Sequence, residues 1–293
     1  MLIVGVIILS LQDSLIKYMA SETSFWQLQF IRSIGNIILL FLIAKLTNGI
    51  DILFPIKWKP VYLRALTMTT CMFCFFAASP KLSFAQMAAG LYTFPLFVSF
   101  LAVIFLNERV GVWRLFALIL GSFGALLILE PWSKNFTYLQ FLPIMAGFFF
   151  ACNIILIRKY CRKESVMSLT LAVGVMFFIS ALLGILFFEL IFQNNFLKEI
   201  SPFVFIGWPS LTLIIFTFCF SCSILNIIGN ILLAKAYQTA ESSWLAPMDY
   251  SYLVFAAIWG KIFFGVWPTF LNLIGMFFIA FSGILIAVRE QRK

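Results

Sequence analysis

The sequence predicts an all-α integral membrane protein with ten transmembrane helices, arranged as two inverted repeats of five. Of its 293 residues, 63% are hydrophobic and only 11% are charged, whereas about a quarter of the residues in a soluble domain are charged. A water-soluble fold of this composition would expose large apolar patches, and a disordered chain would leave far too much apolar surface unburied. The apolar runs are long and continuous, unlike the alternating strands of about ten residues found in membrane β-barrels.

The ten predicted spans fill almost the whole chain, because each spanning helix needs about 20 apolar residues. Breaks between spans fall at charged or turn-forming clusters such as 21–23 and 107–109. The first segment is interpreted as a span and not a signal peptide, since it lacks a basic leader and Asp13 and Lys17 interrupt it. The spans are predicted at residues 2–20, 24–44, 60–79, 83–106, 111–130, 138–158, 166–191, 205–234, 241–263 and 268–288.

The distribution of basic residues predicts that both ends of the chain lie in the cytoplasm. With the N-terminus inside, most of the 20 Lys and Arg residues, Arg64 among them, fall on the cytoplasmic side, and only Lys81, Lys134 and Lys198 fall outside. This bias is typical of multi-pass proteins, and we expect the protein in the cytoplasmic (inner) membrane. The net charge of +9 therefore needs no nucleic-acid partner, and we expect none.

An internal repeat divides the chain into a first half, residues 1–133, and a second half, residues 134–293. Residues 88–108 align with 246–266, so that Tyr92 corresponds to Tyr250. Five spans are an odd number, so the two halves must enter the membrane in opposite orientations. Inverted repeats of this kind are typical of transporters, whose site lies near the membrane midplane between the halves.

Three spans carry polar side chains at helical spacing. They are Ser10, Asp13, Ser14 and Lys17 in the first span, Gln29, Arg32, Ser33 and Asn36 in the second, and Ser223, Asn226 and Asn230 in the eighth. Polar faces cannot all point at lipid, because unpaired polar groups in hydrocarbon cost several kcal/mol. For a single side chain, a hydrogen bond between helices is the simpler interpretation. For the set of faces, we expect a hydrated cavity.

Asp249 is the strongest candidate for a functional residue. It lies well inside the ninth predicted span, and its counterpart in the repeat is Leu91, so the fold does not require an acid there. An ionisable group at such depth indicates function. Its neighbours Trp244, Tyr250 and Tyr252 would suit a cationic or ring-bearing ligand; a salt bridge to another span is the alternative.

Asp13 and Arg32 are predicted at the same depth on adjacent antiparallel helices, where they could form a structural ion pair or bind a ligand. Lys17 would join them or extend towards the outer surface. Pro95 and Pro247 interrupt the fourth and ninth spans and each frees a backbone carbonyl. They are candidate gating points, or simply tolerated kinks.

The sequence predicts no metal site, no cofactor and no catalytic group. The pairs Cys71–Cys74 and Cys219–Cys222 have metal-like spacing, but they lie in the middle of spans and the chain has no histidine. We expect these cysteines to be small packing residues. The chain also carries no phosphate-binding loop or nucleophile elbow.

Taken together, the motifs resemble those of the drug/metabolite transporter superfamily, EamA type. The residues that carry the resemblance are Phe30 to Arg32, Pro95 to Arg109, Gly121 to Gly124, Ala246 to Tyr250, and Phe264 to Pro268. The resemblance implies secondary transport or exchange of a small organic metabolite through a central cavity. Val266 departs from the family pattern, which commonly has an acid there. Similar proteins include S-adenosylmethionine and riboflavin uptake proteins and amino-acid exporters.

We therefore predict a secondary transporter that moves such a metabolite by alternating access and is not an enzyme. The alternatives are a non-transporting helical subunit with a dry core, or a membrane enzyme acting on lipid. The expected partners are the solute, the lipid bilayer, a coupling ion (H+ or Na+) acting through Asp13, Glu108 or Asp249, and a second copy of the chain in a homodimer. The predicted substrate-binding residues are Asp13, Arg32, Tyr92, Asn226, Asn230, Trp244, Asp249 and Tyr250.

Overall fold

The computed structural model describes residues 1–47, 49–107, 112–132, 137–191, 198, 201–239 and 248–290. Within these residues all regular secondary structure is helical and no strand occurs. The predicted all-α class is confirmed. Glu108, Trp244 and Pro247, which the sequence analysis named, lie outside the described residues.

Eleven helices form the body of the described chain, and we number them in chain order. They are α1 Leu2–Met19, α2 Phe25–Leu46, α3 Trp58–Ala77, α4 Phe84–Leu91, α5 Phe94–Leu106, α6 Val112–Leu129, α7 Phe141–Tyr160, α8 Val166–Leu186, α9 Leu213–Thr239, α10 Ser251–Phe264 and α11 Phe270–Glu290. Short helical turns cover Ile50–Leu53, Tyr138–Gln140, Phe187–Ile191 and Pro202–Phe205.

The helices make this a multi-pass membrane protein. In the described part of the chain, seven helical stretches are long and apolar enough to cross a bilayer: α1, α2, α3, α4 with α5, and the stretches containing α7, α8 and α9. Three shorter apolar helices lie at Leu115–Leu129, Ser251–Phe264 and Phe270–Leu285. Large apolar side chains such as Ile119 and Phe277 are more than 60% exposed, as expected of surfaces that face lipid.

Serine side chains begin three of the helices. Ser24 accepts a hydrogen bond from the Gln27 backbone N–H at 3.1 Å, and Ser165 accepts one from that of Ser168 at 2.9 Å. Ser83 and Gln86 form a complete capping box at the start of α4. Such caps satisfy backbone N–H groups that have no partner inside the helix.

The fourth predicted span agrees in its bounds with the stretch Phe84–Leu106, but its interruption lies at Tyr92 and Thr93 and not at Pro95. The helix stops at Leu91 and restarts at Phe94, with Tyr92 and Thr93 between the two parts. The Thr93 hydroxyl donates to the Gly90 carbonyl at 2.7 Å, which competes with the helical pattern. Pro95 lies in the first turn of α5, where its missing N–H costs little, and not inside a helix.

The eighth predicted span also begins later than expected. The sequence places its start at residue 205, whereas α9 begins at Leu213. The intervening segment contains Gly207 and Pro209, which favour a non-helical backbone. It is held to the start of α2, where the Gln27 side-chain amide donates to the Pro209 carbonyl at 2.8 Å and the Ser24 hydroxyl donates to the Gly207 carbonyl at 2.8 Å.

Helices from the two halves of the chain pack against each other throughout the molecule. In the first half, α1 packs on α9 and α10, α2 on α8 and α9, and α6 on α11. In the second half, α7 packs on α3, α4 and α5, and α8 packs on α3 as well as on α2. The pairing is reciprocal. If each of the first five predicted spans is matched to its counterpart among the last five, the contact of α1 with α9 corresponds to the contact of α7 with α3.

Glycines allow two of these crossings to be close. A Cβ added at Gly124 on α6 would lie 2.7 Å from the Gly275 carbonyl oxygen on α11. A Cβ added at Gly5 on α1 would lie 3.1 Å from the Gly229 carbonyl oxygen on α9. Small residues at helix crossings are common in membranes because they let backbones approach. These crossings fix the positions of helices from both halves.

Candidate functional site

A cavity of about 580 Å³ lies between the two halves, and we call it the central cavity. Its size falls in the range of small-molecule sites in proteins, roughly 300–1,000 Å³. Residues from α1 to α5 and from α7 to α11 line it. The polar and charged side chains in its wall, apart from the tyrosines, are Gln12, Asp13, Arg32, Asn36, Arg64, Ser99, Thr170, Asn226, Asn230 and Asp249.

The structure brings the described residues of the predicted site together at this cavity. Seven predicted binding residues and one predicted kink residue line its wall, and they come from both halves of the chain. They are Asp13, Arg32, Tyr92, Pro95, Asn226, Asn230, Asp249 and Tyr250. Trp244 and Pro247 lie outside the described residues. Solute binding by any of these residues stays a prediction.

Aromatic rings form a large part of the wall. The Tyr92 ring stacks on the Tyr252 ring, with centroids 5.1 Å apart, and packs edge-on against the Tyr250 ring at 5.6 Å. Phe94 and Phe150 pack edge-on against each other at 4.9 Å. Stacked and edge-on arrangements of this kind are the favoured ones for aromatic pairs, and they make this part of the wall apolar.

Tyr92 and Tyr250, which the predicted repeat pairs, both lie at helix ends. Tyr92 ends α4, and Tyr250 immediately precedes α10. Interrupted helices at matching positions of two repeats are the usual location of a transporter binding site. The repeat alignment pairs these two tyrosines, and the structure places them in contact at the wall of the central cavity.

A chain of hydrogen bonds crosses the cavity wall from α2 to α10. The Asn36 amide donates to Asn226 Oδ1 at 3.5 Å, and the Asn226 amide donates to Gln12 Oε1 at 2.9 Å. The Gln12 amide donates to Asp13 Oδ1 at 2.9 Å, and the Tyr252 hydroxyl donates to Asp13 Oδ2 at 2.6 Å. Asp13 therefore has a partner on each carboxylate oxygen, and it joins α1 to α10.

Asp13 and Arg32 line the same cavity but make no direct ion pair. The described contacts of the Asp13 carboxylate are those with Gln12 and Tyr252. The Arg32 guanidinium lies over the Phe177 ring, with its central carbon 5.5 Å from the ring centroid. The two charges still influence each other at longer range.

Lys17 does not join this pair. Its ammonium donates to the backbone carbonyls of Ser79 and Leu82, in the second case at 2.7 Å, and lies 5.1 Å from the Phe264 ring centroid. Lys17 therefore ties α1 to the connection between α3 and α4 and to the end of α10. Its three interactions are sufficient for a buried cation, so its role here is structural.

Four charged or polar cavity residues were missed by the sequence analysis, namely Gln12, Arg64, Ser99 and Thr170. Arg64 was counted on the cytoplasmic side, but its guanidinium donates to the Leu169 carbonyl at 2.9 Å and lines the cavity. Its position inside a predicted span was the signal that could have revealed it. Gln12 lies beside the polar face and not on it, and its only signal was a polar amide in an otherwise apolar run.

The described residues contain no group of three or more His, Cys, Asp or Glu side chains that could hold a metal ion. Cys71, Cys74, Cys219 and Cys222 are buried free thiols. They pack inside the helix bundle, in agreement with the expectation that they are small packing residues.

Comparison with known proteins finds a matching family model and several similar transporters. Residues 1–130 match the model of the EamA-like transporter family. A riboflavin transporter of Vibrio cholerae is 26% identical over 71% of this chain, and an S-adenosylmethionine uptake transporter of Rickettsia bellii is 26% identical over 69% of it. These matches span 64% and 62% of the two relatives, less than two thirds of their length.

A solved crystal structure shares the fold. It is 14% identical to this chain, has a TM-score of 0.53, and the match covers 98% of this chain and 95% of that one. The match to the family model covers the first-half motifs, Phe30 to Arg32, Pro95 to Arg109 and Gly121 to Gly124. Residues 1–130 resemble the EamA-like transporter family, and the matches together support membership of the drug/metabolite transporter superfamily.

Proposed function

We propose that this protein is a secondary transporter that moves a small organic metabolite across the cytoplasmic membrane by alternating access. The observation that carries the proposal is the central cavity, which is lined by helices of both halves and combines charged, amide and aromatic groups. A non-transporting subunit would be expected to pair its polar faces in a dry core. A binding site between two halves gives each half a surface that can open to one side of the membrane.

We propose ten spans, arranged as inverted repeats over residues 1–133 and 134–293, with both termini in the cytoplasm. The seven long helical stretches and three shorter apolar helices support this number. The reciprocal packing of the halves and the helix ends at Tyr92 and Tyr250 support the repeat. The bias of basic residues supports the orientation.

We propose a ring-bearing solute. Tyr92, Tyr250 and Tyr252 present a cluster of ring faces to the cavity. Two relatives are named as transporters of riboflavin and of S-adenosylmethionine, and both of these compounds carry fused heteroaromatic rings. The family and the transporter-named relatives favour transport over an enzymatic activity. The coupling ion and a homodimer stay predictions.

Asp249→Asn is expected to lower solute uptake at least tenfold in proteoliposomes. The substitution removes a charge from the cavity wall and keeps the side chain's size, so a loss would report recognition or coupling. A tenfold effect corresponds to about 1.4 kcal/mol. Uptake is measured with riboflavin, S-adenosylmethionine and a set of amino acids, each under an imposed H+ or Na+ gradient.

The matched control is Asp51→Asn, which neutralises an exposed carboxylate in the short turn after α2. Its uptake is expected to equal that of the unmodified protein. Absence of flux for every solute under both gradients would contradict the proposal. Equal uptake by the two variants would contradict the assignment of Asp249.

A further inference from the structure

Arg32 is a deeply buried cation whose hydrogen-bonding capacity is largely unused. Its side chain is 2% exposed, and it lines the central cavity. Its Nε and Nη1 groups are buried and have no hydrogen-bond partner. A buried charge without a partner costs several kcal/mol, so a protein that keeps one is poised to bind an opposite charge.

The surrounding side chains do not supply that charge by direct contact. Both oxygens of Asp13 are engaged by Gln12 and Tyr252. The Ser223 hydroxyl donates to the backbone carbonyl of Arg32 at 3.0 Å and does not contact its guanidinium. Phe177 offers only a ring face, 5.5 Å away.

A second guanidinium lines the same cavity with an unused donor. Arg64 donates from Nη1 to the Leu169 carbonyl, while its Nε is buried without a partner. The planar guanidinium group presents parallel N–H donors whose spacing matches the oxygens of a carboxylate or phosphate. The cavity wall also carries Asp13 and Asp249, so an anionic ligand is favoured by the unused planar donors of the two arginines and not by net charge.

We propose that Arg32 binds an anionic group of the solute, so that the transported metabolite carries a carboxylate or a phosphate besides its ring. This inference rests on the proposed transport function and narrows its substrate class. Arg64 strengthens the attraction from its own wall of the cavity. Neutral ring compounds of the same shape bind more weakly.

The test compares ring compounds in pairs that differ in the anionic group. Riboflavin 5′-phosphate is compared with riboflavin, and 3-phenylpropionate with 3-phenylpropanamide. Ligand binding to the folded state raises the melting temperature by mass action, so the shift is measured for the purified full-length chain over a concentration series. We expect an anionic compound to reach the same shift at a concentration at least tenfold lower than its neutral partner. The pair with the larger difference in concentration shows whether phosphate or carboxylate is the preferred group.

Arg32→Met is expected to abolish this preference. Because Nε and Nη1 of Arg32 have no hydrogen-bond partner in the solute-free protein, the substitution should not lower the melting temperature measured without solute. A merely structural arginine would lower it. Arg32→Lys keeps the charge but loses the planar donors, so it should weaken the binding of the anionic compounds at least tenfold. It replaces Arg32→Met in the test if that variant does not fold. The control is Lys261→Met, which removes an exposed cation at the end of α10 and should leave the preference intact.

The inference is overturned if no anionic compound gives a shift that depends on Arg32, or if the neutral partners bind equally well. If the inference is overturned in this way and a neutral ring compound is still taken up into proteoliposomes, the transport function stands and only the preference for an anionic solute is rejected. Failure of all uptake would instead count against the transport function itself.

Discussion

Gly283→Ala is expected to lower solute uptake at least tenfold. The Tyr250 hydroxyl and ring lie directly against Gly283 on α11, and a Cβ at that position would overlap them. Tyr250 is 7% exposed and its hydroxyl has no hydrogen-bond partner, so no hydrogen bond holds that hydroxyl in place. The nearest open space is the central cavity, and movement of the ring into it would separate Tyr250 from Tyr92 and reduce the room for a solute.

The measurement is a double-mutant cycle of uptake with Tyr250→Ala. Residues in direct contact give non-additive effects, so Gly283→Ala should cause little further loss when Tyr250 is already alanine. Gly260→Ala is the matched control, because a Cβ at Gly260 meets its nearest neighbour only at 3.5 Å. Normal uptake by Gly283→Ala, or fully additive losses, would show that Tyr250 does not occupy this position in the working protein.

Asp13→Leu is expected to destabilise the folded protein by about 2 kcal/mol. The substitution removes the acceptor for the Gln12 amide and the Tyr252 hydroxyl, and it leaves both donors unpaired in the bundle. It also removes the link between α1 and α10. For a chain of this size, we expect the melting temperature in detergent to fall by roughly 4–8 °C.

Asp13→Asn retains an acceptor and should fall between the unmodified protein and Asp13→Leu. Asp51→Leu, at an exposed carboxylate, provides the control and should change the melting temperature little. An Asp13→Leu variant as stable as the Asp51→Leu variant would mean that the hydrogen-bond chain contributes nothing to the packing of α1 on α10.

The composition of the cavity wall could largely be predicted from the sequence. Helical spacing places Asp13, Asn226 and Asn230 on polar faces, and the cost of exposing those faces to lipid makes them converge. All three line the central cavity. The repeat alignment pairs Tyr92 with Tyr250 as equivalent residues, and their rings lie 5.6 Å apart at the cavity wall, a contact that the alignment did not predict.

The interruption between α4 and α5 could not be predicted, because its causes are partly tertiary. A Cβ at Gly147 on α7 would lie 2.9 Å from the Leu91 carbonyl oxygen, so this glycine lets α7 approach the point where α4 ends. The Thr93 hydroxyl closes the turn locally. Sequence alone showed only Pro95, which suggested a kink in a continuous helix.

The late start of α9 has a similar explanation. Residues 205–212 contain enough apolar side chains to continue the predicted span, and hydropathy cannot separate them from it. Their carbonyls at Gly207 and Pro209 accept hydrogen bonds from the Ser24 hydroxyl and the Gln27 amide near the start of α2, each at 2.8 Å. Such long-range contacts carry no local sequence signal. The same holds for Arg64, whose place in the cavity depends on the packing of α3 against α8.

The most direct test of the account is the reactivity of Asn230→Cys towards a membrane-impermeant maleimide. Asn230 lines the central cavity, whereas Ile119, which serves as the control site in Ile119→Cys, is 63% exposed on the outer face of α6. Five of the six natural cysteines are buried, and the unmodified protein gives the background. The account predicts that Asn230→Cys is labelled in membranes and protected by the transported solute, while Ile119→Cys in the hydrocarbon is not labelled. Labelling of Asn230→Cys no faster than that of Ile119→Cys would contradict a hydrated cavity between the two halves.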